Sequence, residues 1–328
     1  MANPQTAAAL AGFALVLRQN LQVGASRKIK APRLRTLLSG LITGLCLGLV
    51  VPNANAETEA RPERVVSINL CTDQLAMLLA DPDQLRAVSR LAADPSLSLM
   101  SGEADSLAVH SGSAEEIFRL KPDLVLAGTF TSRPTVNLLR RLGVRVEEFE
   151  PVRSFNDIAG HTRKLGAMLH REQKAEQLIK ALKRDIETTN AAAGSQPQAL
   201  LGSYGSNSYT TGAGTLENEI VRKAGYRHLG EELGLSGVSQ LALETLILSR
   251  PDYLLVWDRY ANAKTRATEI LFHPALDARI GKDRRILADN RYWICGTPLT
   301  AQGVSSLAAS VRAKETDARR TDAQKDGE

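Results

Sequence analysis

From residue 64 onward, short apolar runs of strand length alternate with stretches whose apolar residues recur at helical spacing. Residues 64–70 read as a strand, followed by a helix over about 72–80 and a second strand over 85–89. A helix over 113–120 stops at Pro122, and 124–127 is a continuously apolar strand. A helix over 134–142 ends at Gly143, and 144–149 returns as a strand. From Ser154 to about Asn190 the pattern is helical, with a break near His170 and Arg171. The second piece, about 172–192, would be ~30 Å long, a whole domain diameter. Beyond it come a strand over 199–204, helices over 215–224 and 241–249, a strand over 253–257, and a helix near 264–271. Strands near 285–287 and 292–295 follow, and 313–328 is a charged stretch without apolar periodicity, expected to be a disordered polar tail. Alternation of this kind predicts an α/β fold with parallel-rich sheets.

One unit occurs twice. Glu115 stands seven residues before Pro122-Asp123, which opens an apolar strand; Glu244 stands seven residues before Pro251-Asp252, which opens another. All three positions are offset by the same 129 residues. A glutamate in the first helical turn is favoured by the helix dipole, and proline ends the helix before the strand begins. Punctuation accounts for the Pro-Asp pair; the matching glutamate goes further and implies two similar lobes. The expected organisation is an amino-terminal lobe over 57–171, a rigid interlobe helix over 172–192 and a carboxyl-terminal lobe over 193–312.

Two lobes on a stiff connector leave a cleft, and open α/β sheets bind ligands at the carboxyl ends of their strands. The loops there carry Asn69, Cys71 and Thr72; Arg90; Phe130 and Arg133; Tyr204 and Tyr209; and Trp257 and Arg259. These ten are the candidate ligand contacts. Cys71 and Cys295 are compatible with one disulfide, but two buried thiols are the favoured reading. His161 and His170 fall on different helix faces, and no metal-ligand spacing is found. Neither a resident metal nor a cofactor is expected.

Charge changes the picture only at the amino terminus. Residues 1–56 carry Arg18, Arg27, Lys28, Lys30, Arg33 and Arg35 and no acid; without these six, 35 basic residues face 36 acidic ones, a net of −1. The basic cluster precedes an uncharged apolar run over 37–51, then Pro52 and the small residues of Ala54-Asn55-Ala56. This reads as a secretory signal peptide cleaved after Ala56, with 1–26 as an extra leader and the periplasm as destination. A run of that length spans only ~22 Å, short of the ~30 Å hydrocarbon core. Leu45 before Cys46 argues against lipidation, and no twin arginine precedes the run. Aromatics make up only 4% of the chain, which argues against a base-stacking surface, so no nucleic-acid partner is expected.

The ordered set of Arg64-Val-Val-Ser-Ile-Asn-Leu70, Glu115, Leu120-Lys-Pro-Asp-Leu-Val-Leu126, Leu139-Arg-Arg-Leu-Gly-Val144, Gly212-Ala-Gly-Thr-Leu-Glu-Asn218, Ala224-Gly225 and Glu244 with Pro251-Asp252 resembles the periplasmic binding proteins for iron–siderophores, haem and cobalamin. The resemblance covers about Arg64 to Ala309. It implies two lobes gripping a metal chelate, delivery to an ABC permease, and a monomer. It also implies that Glu115 and Glu244, one per lobe, dock on permease arginines. The loop Asn69-Leu-Cys-Thr-Asp73 departs from the serine- and proline-rich form common in that family. Arg90, Arg133 and Arg259 would suit an anionic ferric siderophore, which is placed first. Phe130, Tyr209 and Trp257 would wall a cobalamin. His110 is a candidate axial ligand for haem, placed third. The rival class is a secreted α/β enzyme acting in the same cleft, but Gly212-Ala-Gly214 is only half a phosphate-binding turn and no Gly-x-Ser-x-Gly elbow occurs.

Overall fold

The computed structural model describes residues 60–192, 198–257 and 265–325. The expected export signal and Arg259 lie outside them. In the first lobe, β1 (Val65–Ser67), β2 (Leu85–Ser89), β3 (Ala108–His110), β4 (Leu124–Gly128) and β5 (Val146–Phe149) form a parallel sheet in the order β3-β2-β1-β4-β5. The intervening helices are α1 (Leu70–Leu79), α2 (Ser101–Ala104), α3 (Ala114–Arg119) and α4 (Arg133–Arg141). Successive strand residues point to opposite faces, so both faces need apolar side chains. Val65, Leu124 and Leu126 pack with Leu75 and Leu79 of α1. Val66, Val125 and Ala127 pack on the other face with Ile117 of α3 and Val136 and Leu139 of α4.

Two helices, α5 (Phe155–Met168) and α6 (Glu172–Ala191), leave this sheet as a hairpin. α5 opens on a capping box between Ser154 and Asp157, and the chain reverses at His170, which has φ 56°. Gly166 brings the pair close, because a Cβ there would overlap that of Ala175. Leu165, Leu169 and Ala175 belong to the first lobe's core, whereas Phe155, Ile158, Leu182 and Ile186 belong to the second's. α6 is the expected long helix between the lobes, and α5 packs in both cores beside it.

The second lobe comprises β6 (Leu200–Ser203), β7 (Tyr209–Thr211), α7 (Leu216–Lys223), β8 (Arg227–His228), α8 (Leu229–Glu232), β9 (Val238–Gln240), α9 (Leu243–Ser249), β10 (Tyr253–Trp257), α10 (Pro274–Arg279), β11 (Arg285–Ala288), α11 (Arg291–Ile294) and α12 (Thr300–Lys325). Its main sheet runs β11-β10-β6-β8, all parallel, and β7 pairs antiparallel with β9. Leu201, Leu255 and Ile286 face α5, α6, α7 and α12, while Leu200, Leu254 and Val256 pack with Leu246 and Leu276.

The repeated unit has a common geometry. α3 and α9 both end on a residue of positive φ, Lys121 at 49° and Arg250 at 50°, immediately before the proline. The aspartate that follows then stitches two strands together. Asp123 donates its N–H to Arg64 O at 3.1 Å, and its carboxylate accepts from Arg64 N at 3.0 Å, just before β1. Asp252 donates to Leu200 O at 2.9 Å and accepts from Leu200 N at 2.7 Å, at the start of β6. Each Pro-Asp pair thus aligns the strand it opens against the first strand of its lobe.

Three expectations are corrected. The stretch 292–295 is a helical turn, not a strand, because Asp289 Oδ1 accepts from Arg291 N at 3.0 Å and starts a turn. Instead of a helix near 264–271, the described residues show a 3₁₀ turn over Glu269–Phe272; Lys264 lies outside them. The charged stretch from 313 is not disordered as far as Lys325 but continues α12. Val304, Leu307, Ala308 and Val311 anchor that helix in the second lobe's core, and the strong helix formers beyond extend it without an apolar stripe. Asp252→Ala is expected to lower stability by about 1–2 kcal/mol in urea unfolding, through loss of the charged acceptor for Leu200 N. A change within ~0.3 kcal/mol would remove the stitch from the fold's determinants.

Candidate ligand-binding site

In both main sheets the strand order reverses beside the first strand: β1 lies between β2 and β4, and β6 between β8 and β10. Such a reversal parts the loops at the carboxyl ends and opens a crevice. A cavity of about 230 Å³ lies there in the first lobe. Asn69, Cys71, Thr72 and Leu75 line it from the β1–α1 turn, Gly128, Thr129 and Phe130 from the end of β4, and Phe149, Glu150, Pro151 and Val152 from the end of β5. His161 of α5 also faces it, and Ile294 and Gly296 of the second lobe complete the lining.

The turn is held by its own polar groups. Asn69 caps α1 by accepting from Cys71 N at 3.0 Å, and its side chain packs tightly on Gly128. Thr72 Oγ1 donates to Asn69 O at 3.0 Å and lies 2.8 Å from Ser67 Oγ. Beneath it, Asp73 is fully buried and accepts from Ser89 Oγ at 2.5 Å. Burial raises its pKa to about 7, against the lowering effect of its hydrogen bonds. Burial also lowers the pKa of His161, whose ring meets Phe149 edge-on at 5.3 Å. A neutral imidazole therefore faces the cavity at neutral pH.

Among the described residues, a disulfide, a close packing contact and a hydrogen bond join the two lobes. Cys71 and Cys295 form a disulfide with a Cα separation of 5.0 Å, although they lie 224 residues apart. Two separate thiols were expected; the fold instead brings the β1–α1 turn and the loop before α12 face to face. Gly296 packs directly on Val152, where a Cβ would overlap the valine side chain. Arg291 Nη1 donates to Pro95 O at 3.4 Å.

Of the ten candidate contacts, Asn69, Cys71, Thr72 and Phe130 come together at this cavity, with Phe130 86% exposed at its rim. Arg90 is exposed and away from the lining. Arg133 is engaged by Glu148, and that pairing holds the Glu148 carboxyl below its usual range. Tyr204 is fully buried, its hydroxyl donating to Leu241 O at 3.1 Å, and supports the second lobe from within. Tyr209 lines a separate cavity of the second lobe. Trp257 ends β10 opposite Ala288. His110 is buried, with Nε2 2.8 Å from Ser67 O. Sequence reasoning missed Glu150, Pro151 and Val152, which the strand-end rule applied to β5 would have found. It also missed His161, which nothing in the helical pattern distinguishes.

A family model described as periplasmic binding protein matches residues 65–286, and the chain belongs to that family. Among curated relatives, an uncharacterized ABC transporter substrate-binding lipoprotein, YvrC of Bacillus subtilis, is 22% identical over 226 residues, covering 66% of this chain and 69% of that protein. A cobalamin-binding protein of Halobacterium salinarum is 24% identical over 215 residues, covering 62% of this chain and 56% of that protein. Among solved structures, the periplasmic heme-binding protein RhuT from Roseiflexus shares the fold with a TM-score of 0.63 at 22% identity, covering 77% of this chain and 98% of that one.

Removing the covalent tie tests its place in the fold. Cys71→Ser/Cys295→Ser is expected to lower stability by about 2–4 kcal/mol in guanidinium unfolding, because the bond closes a very long loop. Reductant should then have no further effect on the variant. Equal stability of wild type and variant under oxidising conditions would contradict a bond between the lobes.

Proposed function

We propose that this chain is the extracytoplasmic solute-binding component of an ABC importer, carrying a metal chelate in the interlobe cleft. The observation that carries this reading is the cavity at the strand reversal, walled by both lobes and tied shut on one side by Cys71–Cys295. The names of the relatives, cobalamin-binding and ABC substrate-binding, support the same class. The described lining carries no lysine or arginine and includes Glu150, while Arg133 is engaged elsewhere. Such a wall disfavours a polyanionic ferric siderophore and favours a neutral, amide-bearing chelate of the cobalamin type, which moves ahead of the siderophore and haem. His161 offers an uncharged nitrogen toward the metal.

Glu115 and Glu244 would serve as the permease contacts. Each is exposed, each is the second residue of its helix, and each helix ends in the same strained turn before Pro-Asp. Equivalent knobs on similar lobes suit a two-fold permease.

Titration of intrinsic tryptophan fluorescence with cyanocobalamin, ferrioxamine B, ferric citrate and haemin tests the ligand class. Saturable quenching by cyanocobalamin without chemical change is expected; turnover of any probe, or binding of none, would contradict a chelate carrier. Glu115→Ala and Glu244→Ala should leave that affinity within about twofold, yet each should reduce uptake through the cognate permease in proteoliposomes by about tenfold or more. Lost chelate binding in either variant would place the glutamate in the site instead.

A further inference from the structure

The second lobe holds a cavity of its own, about 210 Å³, at the carboxyl end of β6. Ser203, Thr210, Thr211 and Glu217 line it, with Tyr209 and Val238 at its edge. Glu217 is 5% exposed and His228 behind it 1%. Thr211 Oγ1 donates to Glu217 Oε1 at 2.6 Å, and His228 Nε2 lies 3.4 Å from the same oxygen and 3.3 Å from Thr211 Oγ1. The Thr211 hydroxyl and the His228 ring nitrogen thus both stand at Oε1, while Oε2 is buried with no hydrogen-bond partner. Ser203 and Thr210 are satisfied among themselves, with Oγ atoms 3.2 Å apart and Thr210 Oγ1 donating to Ser203 O at 2.8 Å. A desolvated carboxyl oxygen without a donor is costly, and nothing in this cluster supplies one.

We infer that Glu217 and Thr211 form a subsite for a hydrogen-bond donor, a primary carboxamide or an ammonium arm, projecting from the bound chelate. The inference rests on the chelate reading above and narrows it. The cavity, a hydroxyl-lined hollow with one buried carboxyl, suits one short side arm. A carboxylate arm has no hydrogen to offer Oε2 and would meet a like group, so chelates edged with carboxylates are selected against at this point. Glu217→Gln is the informative substitution. Thr211 directs its hydroxyl at Oε1, so the glutamine oxygen stays there and its NH₂ replaces Oε2, turning that unpartnered acceptor into a donor.

The test uses the full chain and two small probes, propionamide and propionate, at tens of millimolar, with NMR shifts of Thr211 and His228 as the readout. Propionamide should shift both resonances in wild type and propionate should not; Glu217→Gln should abolish the difference while keeping the wild-type melting temperature. Equal response to the two probes, or to neither, overturns the subsite. Cyanocobalamin binding is then compared between wild type and Glu217→Gln, with about a tenfold loss expected. Unchanged affinity would refute the subsite and leave the carrier reading standing. Failure of cyanocobalamin to bind wild type, alongside a selective propionamide response, would refute the ligand class and leave the subsite standing.

Discussion

The architecture depends on α5 and α6 belonging to two cores at once. Leu165, Leu169 and Ala175 are packed beneath the first sheet, and Phe155, Ile158, Leu182 and Ile186 beneath the second. Neither lobe can swing freely without pulling side chains of this hairpin out of one core, at a cost of about 1.5–3 kcal/mol for each large apolar residue exposed. Shear between the two helices is limited as well, because Gly166 and Ala175 leave no slack between them. Cys71–Cys295 and the seat of Gly296 on Val152 fix the other side of the cleft. A gap held on two sides is pre-organised, and a ligand entering it loses little binding energy to ordering the protein.

Pre-organisation puts the burden of selectivity on the chemistry of the walls. The first-lobe wall is aromatic and apolar, broken by Asn69, Thr129 and Glu150; the second-lobe cavity offers hydroxyls and Glu217. Two of the three arginines that sequence reasoning assigned to an anionic ligand are placed otherwise, since Arg90 is off the lining and Arg133 bonds Glu148; Arg259 lies outside the described residues. The sign of the described surface has shifted from cationic to weakly acidic, and the favoured chelate shifts with it.

Much of the fold was legible because its signals are local. Apolar runs bounded by proline and glycine located β2, β4 and β10 to the residue or nearly so, and the break at His170-Arg171 showed through an interrupted helical period. The repeated Glu and Pro-Asp were visible as spacing, but the role of the aspartate was not: its partner amides at Arg64 and Leu200 lie 59 and 52 residues away. Distance in sequence also hid the disulfide and the pairing of Arg133 with Glu148. The run Tyr292-Trp293-Ile294 has strand composition, yet one aspartate hydrogen bond at Asp289 was enough to turn it. His161 and Glu217 sit on helices whose apolar pattern says nothing about what their polar faces meet.

The most direct test of the central claim is hydrogen–deuterium exchange of the full chain with and without saturating cyanocobalamin. Slowed exchange is predicted in 69–75, 128–130 and 294–296 together, since these segments from both lobes wall one cavity, with α6 unchanged as the rigid support. Protection confined to one lobe, or appearing first in α6, would contradict a ligand seated between lobes held at a fixed spacing.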